Sequence, residues 1–330
     1  RYIWEDMCIH LYVSWRIWSI CFFYYWYRRL PHSQKTLSRH IFSLYSAYWK
    51  VFLIFIPIGF LFFHNQQQYN AINSGQIFST LDLYCPDFIA TLIEYKNCYN
   101  DEWWFFRTYL FALLEGYLFM EIFKKRKNLY TECMIVILWH LLIAFIFPAL
   151  SSSATFSGLT QDVWFYNIFT INDYATLFFT GIIFAKYNIF ATWNSLFDHM
   201  TNIEKFIFSS TALCVCAYTR VFISSTSFDI LLVPIFLLAA ITIINMFSHS
   251  GTGFAYMGKH STNIWLTHSF YCYYFGPFAK LVYKSKNFII DYLVLLALSL
   301  VTSILLNLFW KYVKICYQHI HTLLLPRTAN

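Results

Sequence analysis

Two short stretches of this chain gather side chains that acyl or proton transfer needs. The first is Asp101-Glu102-Trp103-Trp104-Phe105-Phe106-Arg107, two carboxylates and a guanidinium among aromatic rings. Trp103, Arg107 and Phe111 share helical spacing, whereas Glu102 and Arg107 are too far apart in sequence to stack ideally. The set suits an outer-facing grip on a sugar, with Trp103, Trp104 and Arg107 against the ring and Glu102 as an acid. An interfacial aromatic belt whose arginine snorkels fits the same residues. The second stretch runs from Met257 to His268. Here Ser261 is expected to cap a helix and Gly258 to ease the turn into it, with His268 about two turns further in. A histidine at that depth is an interhelical hydrogen bonder or a proton-transfer group, and His140, Glu115 and Glu121 pose the same choice. Glu121 is expected to pair along its own helix with Lys124 and Lys125.

The elements that must hold these groups are apolar helices. About nine stretches are apolar enough, and most long enough, to cross a bilayer, whose core takes about 20 residues of helix. Their expected limits are 11–27, 44–63, 104–123, 131–149, 173–186, 205–224, 229–247, 262–281 and 288–312. The first and fifth are short, which suits tilted or re-entrant segments. Windows such as Val51–Phe63 and Ile230–Ile244 are apolar all round, with no polar face for water. Hydrophobic residues make up 59% of the chain and charged ones 12%, about half the share of a soluble domain. Many Trp and Tyr fall near span ends, at the headgroup level that their rings prefer. The expected fold is therefore all-α: a polytopic transmembrane bundle forming one domain over residues 1–330.

Charge orients it. Residues 28–43 carry Arg28, Arg29, Lys35 and Arg39 with no acid, and Lys124-Lys125-Arg126-Lys127 fills the loop 124–130. Between them, 64–103 holds Asp82, Asp87, Glu94, Asp101 and Glu102 against Lys96 alone. Basic loops stay cytoplasmic, so 28–43 and 124–130 are predicted inside and 64–103 outside. Alternation then puts the N-terminus outside and the C-terminal tail inside, although the outer turn with Lys280, Lys284 and Lys286 breaks the rule. The net charge of +7 sits in these short loops and reports orientation, which sets nucleic acid aside as a partner.

The nine cysteines are scattered, and Cys214-Val-Cys216 lacks the spacing of a metal or redox pair. Cys85 and Cys98 share the outer loop and could pair in an oxidising compartment. No P-loop, dinucleotide fingerprint or zinc signature occurs, and no metal is expected.

Four stretches, in order along the chain, resemble the acyltransferase-3 membrane proteins, which O-acylate cell-surface sugars. They are Arg39–Trp49, an inner basic segment running into a Tyr-Trp span; Asn100–Tyr109, an acidic-Trp-Trp-Phe start of a span; Phe178–Tyr187, a Phe-Phe-x-Gly span ending in Lys; and Met257–His268, a Gly-Lys-x-Ser-x-x-Ile-x-Leu-x-His segment. The resemblance covers roughly residues 16–313. It implies about ten helices with both ends inside, acyl-coenzyme A approaching from the cytoplasm and a sugar hydroxyl from outside. The family's presumed catalytic histidine lies on its first helix, with ten residues between it and an arginine, and that pattern is not seen here. Arg29 and His40 have the spacing but sit in a charged loop with Pro31. The chain thus looks like a member without its first helix, as the N-out orientation also suggests.

Acetyl transfer from a thioester to a hydroxyl needs a general base, oxyanion donors and a basic cytoplasmic groove for the coenzyme's phosphates. His268 is the first choice of base, and Arg29, Lys35 and Arg39 are the candidates for the phosphates. The expected activity is that of an O-acetyltransferase using acetyl-CoA or another acyl-CoA in a bacterial inner membrane. Its acceptor would be a surface polysaccharide or a lipid-linked precursor. A glycan transporter or flippase would need similar aromatic and polar groups, but no internal repeat supports it. An inactive, truncated family member is the third reading.

Overall fold

The computed structural model describes residues 34–63, 86–95, 99–125, 128–151, 158, 175–223, 226–247 and 250–324. It is helical throughout, with no strand among the described residues. Four helices are long and apolar enough to cross a membrane: Leu37–Phe62, Leu129–Leu150, Asp229–Met246 and Phe288–Thr322. They fall on four of the expected spans. The stretch 11–27, Cys85 and Cys98 lie outside the described residues. The span expected at 104–123 is helix α3 (Trp104–Lys124), long enough but charged by Arg107, Glu115 and Glu121. The span expected at 205–224 is the equally long but more polar α8 (Asn202–Phe222), and that at 173–186 is the shorter α6 (Ala175–Lys186).

One expected loop is largely helix. Helix α1 (Gln34–Phe62) begins ten residues before the span predicted at 44, so Lys35 and Arg39 ride on a helical extension. The residues from Gln34 to Ser43 include Lys, Leu and Arg and no Gly or Pro, so nothing stops the helix at the edge of its apolar part.

The described residues pack as two compact units, one drawn from 34–41 and 105–252 and the other from 42–104 and 253–324. In the first unit, α4 (Leu129–Leu141) continues through a π turn (Leu142–Ile146) into α5 (Phe147–Ser151). Asn128 starts α4, its side chain accepting the Tyr130 N–H at 2.9 Å. The buried positions of α4 are Glu132, Val136 and His140, spaced four apart on one face. Met134 and Leu138 point outward and are more than half exposed. A helix in water does the reverse; polar groups inward and aliphatics outward is the pattern of a helix solvated by lipid. Helix α9 (Asp229–Met246) packs on α8, α6 and the short α7 (Ile189–Leu196). Leu177, Phe184, Val233 and Leu237 form that core, and Trp193 donates its indole N–H to Thr242 Oγ1 at 2.9 Å.

In the second unit, α1 packs on the short α2 (Pro86–Leu92) through polar tips of aromatic rings. Tyr48 Oη donates to the Thr91 carbonyl at 2.5 Å, Trp49 Nε1 to Leu92 at 3.0 Å and Tyr45 Oη to Ile93 at 3.2 Å. The last carbonyls of a helix lack intrahelical donors, and here a neighbouring helix supplies them. The rest of the unit is α10 (Ser250–Ser269), a π turn (Phe270–Tyr274), α11 (Gly276–Val282) and α12 (Phe288–Leu324). Polar side chains join α10 and the π turn to α12. Ser303 Oγ lies 2.8 Å from His260 Nδ1 and accepts from Asn263 Nδ2 at 3.1 Å, while Tyr271 Oη meets Thr302 Oγ1 at 2.5 Å.

Candidate functional site around His268

Helix α10 overturns one local expectation. It begins at Ser250, so Ser261 is not a cap: its hydroxyl donates back to the Gly258 carbonyl at 2.8 Å in mid-helix. A Cβ at Gly258 would meet nothing within 4 Å, so no tight turn needs that glycine. Three glycines in Ser250–Gly258 lower helix propensity without breaking the helix, as proline would. His268 therefore stands not two turns from the start but about 27 Å along, at 1.5 Å per residue. That puts it at the far end of α10, beside the π turn.

There it meets the acidic-aromatic stretch. Asn100 is fully buried, and its Oδ1 accepts the Glu102 N–H at 3.1 Å, starting the 3-10 turn Asp101–Trp103 that leads into α3. Its Nδ2 donates to Ser269 Oγ at 2.7 Å. Trp103 Nε1 donates to the Leu266 carbonyl at 3.0 Å. These two bonds bracket Thr267 and His268 in sequence, so the turn bearing Glu102 is stapled across the backbone that carries His268. Trp103 is fully buried, with its ring 4.9 Å from Tyr48, edge to face, and 5.7 Å from Phe270. The stacking face expected of it for a sugar is taken up by these rings. Glu102 and Trp104 are half-buried, as is Arg107 on α3.

The tautomer of His268 follows from its contact. Nδ1 lies 2.6 Å from the Trp265 carbonyl, an atom that can only accept, so Nδ1 carries the proton of the neutral ring and Nε2 the lone pair. His140 is built differently. Its Nε2 donates to the Ser227 carbonyl at 2.7 Å, and its Nδ1 lies 3.2 Å from Thr176 Oγ1. Both nitrogens of His140 are thus engaged by other elements, whereas Nδ1 of His268 is held by its own helix. Both are buried, and each stands two residues before a π turn, Leu142–Ile146 and Phe270–Tyr274. Such turns are rare and recur at functional sites.

Of the residues proposed for phosphates, Arg39 is exposed on α1, Lys35 is in the same helix, and Arg29 lies outside the described residues. Glu121 and Lys124 do approach each other along α3, at 4.0 Å. No group of His, Cys, Asp or Glu that could hold a metal occurs among the described residues. Cys214 is exposed and Cys216 buried, and both are free thiols.

Sequence reasoning missed the ion pair of Lys186 with the fully buried Glu132, in which Lys186 Nζ also donates to the Phe123 carbonyl at 2.6 Å. One ammonium thus ties the end of α6 to the end of α3 and the start of α4. It also missed Asn100 and Ser269. An Asn followed by two acids is a legible helix start, but nothing local marks its partner. No family model, curated protein or solved structure matches the chain.

Proposed function

We propose that this chain is a multipass membrane O-acyltransferase of the acyltransferase-3 kind. It moves an acetyl or other acyl group from cytoplasmic acyl-CoA to a hydroxyl of a surface polysaccharide or its lipid-linked precursor. In this reading about nine spans form one bundle in a bacterial inner membrane, N-terminus outside and C-terminus inside. His268 Nε2 takes the proton of the acceptor hydroxyl as its oxygen attacks the thioester carbonyl. The carbon–sulfur bond breaks, and the imidazolium returns the proton to the departing thiolate. Glu102 and Trp104 hold the sugar, with Arg107 on the same helix as a further anchor. Arg39, Lys35 and Arg29 hold the coenzyme's phosphates at the inner face.

The observation that carries the reading is the staple that sets His268, with Nε2 as its basic nitrogen, beside the turn bearing Glu102. A lone buried histidine satisfied on both sides would carry no such reading. The test is transfer from radiolabelled acetyl-CoA to glycan in membranes containing the full chain. His268→Ala is expected to lower turnover by about 10²–10⁴-fold, the usual worth of a positioned base. Undiminished transfer by His268→Ala would remove the base. Absence of transfer by the unaltered chain, together with glycan movement across the bilayer, would favour the transporter reading instead.

A further inference from the structure

We infer that Asn100 and Ser269 are positioning residues that set the direction of the His268 ring, so that the turn Asp101–Trp103 and the base are mechanically one unit. The inference rests on the reading of His268 as the base and adds residues that the reading does not require. Asn100 does two jobs with one fully buried side chain. Its oxygen starts the Asp101–Trp103 turn, and its amide nitrogen holds Ser269 Oγ at 2.7 Å. Ser269 is itself fully buried and is the last residue before the π turn Phe270–Tyr274, where Phe275 N–H reaches back to the Phe270 carbonyl at 2.8 Å.

A π turn holds one more residue per bonded ring than an α-turn, so the residues around it can change register at small cost. His268 sits two residues before that turn, and its ring is anchored on its own helix by backbone bonds to Trp265, at 2.6 Å, and Ile264. The bonds to Leu266 and Ser269, on either side of it, come from a segment more than 160 residues away in sequence and hold the Leu266 carbonyl and the Ser269 hydroxyl. A bond that only stabilised the unit could fall anywhere along α10. These two fall where a shift of register would turn the imidazole.

The two roles of Asn100 can be separated from the other side. Ser269→Ala removes the hydroxyl and leaves the Asn100 oxygen capping its turn, whereas Ser269→Thr keeps the hydroxyl. The readout is the rate at which diethyl pyrocarbonate modifies His268 in the purified full chain, followed by mass spectrometry across pH. It does not depend on acyl transfer, so its outcome is separate from that of the proposed activity. The expected result is a rate in Ser269→Ala at least about fivefold above the unaltered chain, as loss of a single bond's worth of bias gives. Its pH midpoint should shift as well, and Ser269→Thr should behave as the unaltered chain does. Asn100→Ala, which also removes the start of the turn, should raise the rate at least as far, and the double variant should add nothing to Asn100→Ala, since the bond lost in Ser269→Ala is already gone there. If Ser269→Ala changes only the melting temperature, with the His268 rate and midpoint unmoved, the bond is structural and the inference is overturned. Failure of acyl transfer with these rate changes intact would sink the activity and leave the positioning role standing.

Discussion

Asn100 and Ser269, 169 residues apart in the chain, meet through a 2.7 Å hydrogen bond between two fully buried side chains. A fully buried amide and hydroxyl have no water to fall back on, so leaving either alone costs more than the bond contributes. That asymmetry makes the contact specific. The turn before α3 and the end of α10 have few other ways to satisfy both groups.

The same logic applies to Lys186 and Glu132. Removing one partner strands a buried charge, and a cost of about 3–5 kcal/mol is expected for Lys186→Met or Glu132→Leu alone. The double variant should recover most of it, because no ion is left to desolvate. Thermal unfolding in detergent of the four proteins completes the cycle. If each single change costs as little as the double, the pair is not doing what its burial implies.

Helix α8 carries a titratable start. Thr201 Oγ1 accepts the Glu204 N–H, and the Glu204 carboxylate accepts the Thr201 N–H at 2.7 Å and its hydroxyl at 2.8 Å. Those bonds, the backbone one first, hold the Glu204 carboxyl below the usual carboxylate range. A depressed folded value adds stability above the unfolded value of about 4.3 and loses it as pH falls through the folded value. The protection factors of the amides over residues 202–206, which are exchange rates corrected for their intrinsic pH dependence, should therefore be larger near neutrality and fall in acid. Thr201→Ala should cost about 1 kcal/mol at neutral pH. Protection factors in this turn with the same acid response in Thr201→Ala as in the unaltered chain would count against the cap.

Orientation is tested by labelling. In a variant lacking other reactive thiols, Gln34→Cys should resist an impermeant maleimide in intact cells while Gln67→Cys reacts, because basic flanks stay inside. Reaction of both would remove the proposed topology and the cytoplasmic role of Arg39 with it.

Much was legible in the sequence because hydropathy and charge are local. Backbone groups in lipid must bond within their own segment, so an apolar run becomes a helix whatever its neighbours do. The spans at 44–63, 131–149, 229–247 and 288–312 follow from composition alone and recur as the four long apolar helices. That a buried histidine in Met257–His268 is a hydrogen bonder or a base was also readable. What the tertiary structure decided are the choices that depend on a partner. Ser261 has the chemistry of a cap, but no proline or competing contact stops α10 there, so the helix runs back to Ser250. Trp103 has the chemistry of a sugar platform, but Tyr48 and Phe270 enclose it. His140 and His268 are indistinguishable as letters in apolar helices. Packing gives one a donor and an acceptor from other elements, and the other backbone bonds on its own helix. A residue's span is set by its neighbours in sequence, whereas its role is set by which polar atoms helix packing brings within about 3 Å.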